Sequence, residues 1–443
     1  MDIPALLYHA VERDDVQKVR QLLDLGADPN ETYEDFVNIS SRSILHVCCR
    51  RGSVECAKLL VSHGADALAR DKYKMTPLVY AIISQYNKAA EILVQACPEV
   101  VHATDRSSKT PLHFAVESDC VDSVRVLLRH GADVNQRGLH GLTPLMTLVT
   151  TPSLKNRAFI GQLLTDPDSD VDIDLKDSHH QWTALQFSVI RRDMSMIHLL
   201  LHAGSDPNTV DVRGRTPITN LIRDHLRKES SCPHKDGAVH AILTTLVDGG
   251  AILDFNQSEE GNPLMTAVLL KNDNLAEYLL DMGADPNVKF PSGTTLLLES
   301  VSRNDFSTTW TLLTYNAKPH VLGTVEGVSY NLDPMELALL RGMSDFVHLF
   351  IHYGYKTSKL RRILNNEDSM IHKSLANHPD LLVYLQEYAY SPSTLFLTVL
   401  FFLRDILGRD IRNKVSSLPL PKSLRDSVLV NTYRQIEFAT DVM

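Results

Sequence analysis

The chain has 443 residues, 44% of them hydrophobic and 22% charged, with a formal net charge of -10. This is the composition of a soluble globular protein with ample length for a large core. The negative balance, and the lack of any Lys/Arg-rich block of five or more, argue against nucleic acid or anionic membrane as the main partner. Six cysteines (Cys48, Cys49, Cys56, Cys97, Cys120 and Cys232) form no CxxC pair. Most fall inside apolar helical patterns, where a free thiol acts as a small hydrophobe. A reduced, cytoplasmic setting is expected, with the nucleus as a second compartment. The opening "MDIPALLYHAVERDD" lacks a basic region followed by an apolar one, so no signal peptide is expected.

In chain order, one phrase recurs. It is implied at Ala5 ("ALLYHAVERDDVQKVRQLLDLGADPN") and returns at Ser43, Thr76, Thr110 ("TPLHFAVESDCVDSVRVLLRHGADVN") and Thr143. Further copies start at Thr183, Thr216, Asn262, Thr294 and Asp333. Where no insertion intervenes the starts are 32 to 34 residues apart. Thr at most of the starts predicts a helix N-cap, and the Pro that often follows suits the first helical position, where no N–H is needed. Leu and Ala next in line predict an inward face. The Gly of "HGAD" predicts a left-handed helix end, and "ADPN" or "ADVN" a tight turn reaching toward the next copy. One copy of two short helices cannot bury its own apolar face, whereas stacked copies can.

The period and these residues resemble the ankyrin repeat over roughly residues 1–355, about ten copies. The resemblance implies an all-α fold, an ankyrin-repeat solenoid that binds proteins through turn tips and first helices. Residues 150–158, the acidic stretch 166–177, and residues 224–238 and 320–331 lengthen individual copies. Insertions in a solenoid fall in loops on one face, either as part of a binding face or as tolerated drift. Near turn tips lie Arg70, Lys72, Tyr73, Arg106, His140, Trp182, Arg213 and Phe290. Arg and aromatic side chains are the usual anchors of protein interfaces, so Arg70, Tyr73, Arg106, His140, Trp182 and Arg213 are the candidate contacts for an unidentified target protein. Trp182, directly before a helix start, is alternatively buried at a repeat junction.

Catalytic arrangements are missing: there is no GxGxxG, Walker loop, HExxH or GxSxG. His113, within "TPLH", is expected to tie neighbouring repeats by hydrogen bonds. His179–His180 and Cys232–Pro233–His234 lack the spaced partner ligands of a metal site. Asp166, Asp168, Asp170, Asp172 and Asp174 alternate like a calcium loop, without the Gly and terminal Glu that an EF-hand needs. No metal, no cofactor and no enzymatic activity are expected.

After about residue 355 the repeat stops. Residues 356–390 read as helical, either a degenerate repeat or a bridging segment. Ser391–Thr394 then signals a helix start, and an apolar run follows from Leu395 to Leu403. The run is too short for a roughly 30 Å hydrocarbon core. It suits a core helix, or a helix packed on the array by one face and on a partner by the other. Leu395, Val399 and Leu403 form an i, i+4, i+8 stripe, and Leu418-Pro419-Leu420-Pro421 follows. Order and spacing over 391–430 resemble a SOCS box, with 431–443 as a tail.

That resemblance implies that Leu395, Val399 and Leu403 enter a groove of Elongin C, and that Leu418, Pro419, Leu420 and Pro421 contact a cullin. It implies a substrate-recognition subunit of a cullin–RING ubiquitin ligase, with Elongin B/C, the fifth cullin and a RING subunit as partners. Val399 stands where the family has Cys, Thr398 where it has Leu, Leu400 where it has Arg, and Ser427 where an aromatic often closes the motif. Cys to Val roughly keeps volume and apolarity, at a cost below about 1.5 kcal/mol. Three such buried side chains supply on the order of 5–9 kcal/mol before association costs. The alternative is an ankyrin scaffold whose tail only caps the last apolar face. An enzyme with an ankyrin accessory domain would need a catalytic domain that the remaining residues are too few to build.

Overall fold

The computed structural model describes residues 3–34, 41–228, 236–254, 262–325, 331–366 and 369–390. The proposed SOCS-box residues Leu395, Val399, Leu403, Leu418, Pro419, Leu420 and Pro421 therefore lie outside the described residues, as do Cys232, Pro233 and His234. The chain divides into two units, Met1–Val212 and Arg213–Met443.

In the first unit six antiparallel helix pairs follow one another. They are α1 (Ile3–Glu12) with α2 (Val16–Asp24), α3 (Ile44–Arg51) with α4 (Val54–Ser62), and α5 (Pro77–Ile83) with α6 (Asn87–Ala96). Then come α7 (Pro111–Glu117) with α8 (Val121–Arg129), α9 (Pro144–Thr150) with α10 (Arg157–Leu164), and α11 (Ala184–Ile190) with α12 (Met194–His202). Helices of seven to ten residues are marginal alone, so packing holds them. All of α7 except Glu117 is buried. Its neighbour α8 buries Ser123, Val124 and Leu127 and turns Asp122, Arg125 and Arg129 to water. Leu112, fully buried, contributes about 1.5–3 kcal/mol relative to exposure.

The helix ends follow the sequence. Thr143 Oγ1 accepts the Met146 N–H at 3.3 Å, satisfying a donor that the first turn leaves orphaned. At Gly131 the backbone turns left-handed (φ 78°), and the Ala132 N–H reaches back to the Leu127 carbonyl at 3.0 Å. Asp133 Oδ1 then accepts the Asn135 N–H at 2.8 Å, which closes the predicted tight turn.

His113 ties repeats as expected. Its Nδ1 accepts the Thr110 N–H at 3.1 Å, so its proton sits on Nε2, which donates to the Leu142 carbonyl of the next repeat at 3.0 Å. His46 does the same between the Ser43 N–H (3.2 Å) and the Met75 carbonyl (3.0 Å). In the sixth copy Gln186 takes over, with Oε1 accepting from Thr183 N and Nε2 donating to the Thr209 carbonyl, both at 3.1 Å. Burial holds both imidazoles below their ordinary pKa and therefore neutral, against weaker opposing pulls from the accepting carbonyls and nearby carboxylates.

The second unit repeats the plan with α13 (Pro217–Lys228) and α14 (Asp236–Asp248), α15 (Pro263–Leu269) and α16 (Asp273–Asp281), α17 (Leu296–Ser302) and α18 (Phe306–Thr314), and α19 (Pro334–Leu340) and α20 (Ser344–His352). The expected start at Thr294 is displaced by one residue. Thr295 caps α17, accepting the Leu298 N–H at 3.1 Å, while Thr294 Oγ1 donates to the Thr324 carbonyl at 2.7 Å. At the base of the insertion 320–331, Gly323 and Leu332 exchange N–H···O bonds at 2.9 and 3.0 Å, an isolated antiparallel β-bridge. Beyond α20 lie α21 (Thr357–Leu364), α22 (Met370–Leu375) and α23 (Pro379–Tyr390). The first of them is held by the cap of α19, while Ser374 of α22 donates to the Leu340 carbonyl at 2.9 Å and Arg361 of α21 to the Ala389 carbonyl of α23 at 2.6 Å. The fully buried Asp333 carboxylate accepts the Glu336 N–H at 2.7 Å and both the Tyr355 hydroxyl and the Lys359 ammonium at 2.6 Å. A Thr at that cap could not serve so many donors. Burial first, and Asp333 second, push the Glu336 carboxyl up.

Outside the helices, β1 (Thr32–Glu34) pairs antiparallel with β2 (Ser41–Ser43), Thr32 facing Ser43, and lengthens the first turn tip. Among the described residues no helix is long and apolar enough to cross a membrane. Cys48, Cys49, Cys56 and Cys120 are buried free thiols and Cys97 is partly buried; burial pushes the Cys56 thiol up to about 12.

Candidate protein-interaction surface

The turn tips of the first unit are built on inward-facing aspartates. Asp71 Oδ1 accepts the Tyr73 and Met75 N–H groups at 2.8 and 2.9 Å, and Oδ2 accepts the Tyr80 hydroxyl at 2.7 Å. Asp105 accepts from Ser107 N (2.7 Å) and Lys109 N (2.8 Å). Asp177 accepts from His179 N, His180 N and Trp182 N at 3.0, 3.1 and 2.6 Å. Each carboxylate replaces the water that the turn's N–H groups would otherwise need, and so fixes the tip. The Tyr80 hydroxyl stays a donor, because burial and its bond to Asp71 push its pKa up to about 12.

Adjacent tips are joined by single backbone bonds: Arg106 N–H to Tyr73 O (3.0 Å), Ser178 N–H to His140 O (2.9 Å) and Val212 N–H to His180 O (3.1 Å). Within each of these pairs the tips thus hold a fixed spacing. On this row the structure places Arg70, Arg106 and His140 as exposed side chains, and Tyr73 at 46% exposure with the Lys72 ammonium 4.9 Å from its ring centre. His140 sits in the left-handed region (φ 60°), and its Nδ1 lies 2.7 Å from His179 Nε2, so one ring offers a proton and the other a lone pair. Trp182 is half-buried. Its ring lies tilted against His180 at 4.7 Å and meets the Phe187 edge at 5.3 Å, so the burial expected at the repeat junction is partial. Arg213 is exposed at the beginning of the second unit and Phe290 is half-buried there; neither is part of the row in the first unit.

The insertions of the first unit are held by side chains of the preceding repeats. Asp119 accepts the Lys155 and Asn156 N–H groups at 2.9 and 3.0 Å, which pins residues 150–158. Asn135 donates to the Asp170 carbonyl at 2.7 Å and accepts the Asp172 N–H at 2.8 Å, which pins the acidic stretch. Asp174 accepts the Ser205 hydroxyl at 2.7 Å. Of the alternating aspartates, Asp166 accepts the Asp168 N–H and Asp174 the Ser205 hydroxyl, and no group of three or more His, Cys, Asp or Glu side chains fit to hold a metal occurs among the described residues. Arg125, Leu128, Leu163 and Asp168 help line a groove of about 540 Å³ between α8 and this stretch. The "ADxN" asparagine was the available signal, since Asn30 makes the same two bonds to Gly64 O and Asp66 N at 3.1 and 2.8 Å.

Comparison with known proteins agrees with this geometry. The ankyrin family models match at residues 7–102 (Ankyrin repeats, 3 copies), 93–147 (Ankyrin repeats, many copies) and 261–289 (Ankyrin repeat). Human Inversin is 26% identical over 248 residues, 55% of this chain and 22% of that protein. Human Ankyrin repeat and SOCS box protein 16 is 32% identical over 128 residues, 29% of this chain and 27% of that protein. E3 ubiquitin-protein ligase KEG of Arabidopsis thaliana is 23% identical over 343 residues, 66% of this chain and 20% of that protein. The chain spans about a fifth of the length of the Inversin relatives it matches. Its helix pairs, turn tips and inter-repeat ties are those of the all-α ankyrin-repeat fold.

Proposed function

We propose that the chain is the target-holding subunit of a SOCS-box type ubiquitin ligase. The carrying observation is an order of residues: an ankyrin array, then the stripe Leu395, Val399, Leu403, then Leu418-Pro419-Leu420-Pro421. The similarity to a protein named for ankyrin repeats and a SOCS box, and to one named as an E3 ubiquitin ligase, supports it. The row of fixed tips holds the target protein. The tail brings Elongin B/C, the fifth cullin and its RING subunit. The chain itself is non-enzymatic and works in the cytoplasm. Its contribution is proximity, because tethering raises the effective concentration of target lysines near the charged conjugating enzyme.

Co-purification from cells tests this reading. The full chain is expected to bring down Elongin B/C, and Leu395→Ala with Leu403→Ala to lose it while the fold is kept. Replacing residues 418–421 by alanine should lose the cullin and keep Elongin. A full chain that retains no Elongin B/C would leave the tail as a structural cap and the ligase reading wrong.

A further inference from the structure

The tips of the first unit segregate charge. Asp71, Asp105 and Asp177 are spent on backbone N–H groups at 2.6 to 3.1 Å, and Asp71 and Asp177 are buried. The cations turn outward: Arg70, Lys74, Arg106 and Arg137 are exposed, and Lys72 lies beside the exposed Tyr73 ring. Within residues 70–74, 105–109, 137–142 and 178–182 the acidic side chains are only Asp71 and Asp105. Lys109 is the neutralised exception, paired with Glu117 at 2.5 Å. A surface of outward cations on a chain of net charge -10 runs against the overall balance.

We propose that the tip row between Arg70 and Trp182 binds an acidic segment of a partner protein, one in which Asp or Glu residues alternate with an aromatic or aliphatic side chain. The proposal rests on the reading that the tips hold the target, and it adds the target's chemistry. Arg70, Lys74, Arg106 and Arg137 face the carboxylates, and Tyr73 and the exposed part of the half-buried Trp182 take the apolar side chain. Such complementarity sets partner choice and association rate more than bulk affinity. An acidic protein segment fits better than nucleic acid. A nucleic-acid surface is a continuous basic stripe on a strongly basic domain, whereas this chain has a pI of about 6.0 and its tips carry carboxylates directly beneath the cations. The fixed spacing within two pairs of tips, set by the 73-to-106 and 140-to-178 backbone bonds, suits an extended segment crossing neighbouring repeats.

Fluorescence anisotropy on the full chain tests the idea with three labelled probes: a 16-residue peptide of repeated Glu-Glu-Tyr-Asp, its Lys-Lys-Tyr-Arg counterpart, and a 16-nucleotide oligothymidine. The acidic peptide is expected to bind at 50 mM salt and to weaken as salt rises beyond physiological strength, because exposed charges are then screened. The triple charge reversal Arg70→Glu, Lys74→Glu, Arg106→Glu should lower that affinity at least about tenfold with an unchanged circular dichroism spectrum, as expected for exposed side chains. The basic peptide should bind at least about tenfold more weakly than the acidic one. The proposal is overturned if the acidic peptide does not bind, if the reversal leaves its affinity within twofold, or if oligothymidine binds more tightly and is lost in the same variant. Failure here is separable from failure of the tip surface itself. If Tyr73→Ala with Trp182→Ala strips a target protein that the charge reversal retains, the tips still hold the target and only the acidic chemistry is refuted.

Discussion

His113 and Gln186 occupy the same place in different repeats, and this gives a sharp test of what the histidine does. His113 satisfies the Thr110 N–H and donates to Leu142 O. Replacing it by Ala leaves the buried Thr110 N–H without its side-chain acceptor, a loss of roughly 1–3 kcal/mol. The bond to Leu142 O adds about 0.5–1.5 kcal/mol, limited because that carbonyl also accepts the Gly138 N–H at 2.8 Å. His113→Ala should therefore cost about 2–4 kcal/mol. His113→Gln should cost under about 1 kcal/mol, since Gln186 makes both bonds at 3.1 Å within the same framework. The two variants also separate in pH. Burial lowers the folded pKa of His113, so its neutral form stabilises the fold above the ordinary value near 6.5. That stability is lost as pH falls from there toward the folded value, at up to about 1.4 kcal/mol per pH unit. Lys109, Glu117 and Asp105 surround the ring, and their opposing effects leave burial dominant. The Gln variant should lose this part of the acid slope and leave that of His46. Urea titrations at pH 7.5 and 5.5, followed by Trp182 fluorescence in a Trp310→Phe background, measure both effects. A Gln variant as unstable as the Ala variant, or one with an unchanged acid slope, would refute the bridging role.

Two further outcomes follow from single side chains. Asp333→Ala removes the buried acceptor shared by Tyr355, Lys359 and the Glu336 N–H, so it should destabilise the second unit by roughly 2–4 kcal/mol and speed amide exchange in α21; exchange confined to α19 would contradict the tie. Asn135→Ala loses the bonds to Asp170 and Asp172, at about 1–2 kcal/mol, and should speed proteolysis between residues 166 and 172 with little change elsewhere.

The fold was legible because the repeat writes its own punctuation. Thr–Pro starts, Gly131-type ends and the "TPLH" histidine each have a local cause, and each appears where its residues stand. Positions whose partner lies a repeat away were harder to read. The Asn of "ADxN" reads as a turn residue, but its side-chain partners, Asp170 O and Asp172 N for Asn135, exist only once two copies stack. Nothing local to Asp71, Asp105 and Asp177 marks them as inward-facing, and only the folded turn reveals that they bind its N–H groups and leave the tips basic. Thr294 and Thr295 compete for one cap, and the Thr324 carbonyl decides between them. At the first tip Thr32–Glu34 and Ser41–Ser43 pair as antiparallel strands, which the helical repeat pattern did not announce.

Proximity labelling in cells, comparing the full chain with a chain ending at residue 390, tests the ligase reading most directly. Both forms are predicted to label the same target protein, and only the full chain to label Elongin B/C and the cullin. Equal labelling of Elongin B/C and cullin by both forms, or their absence from both, would contradict the account.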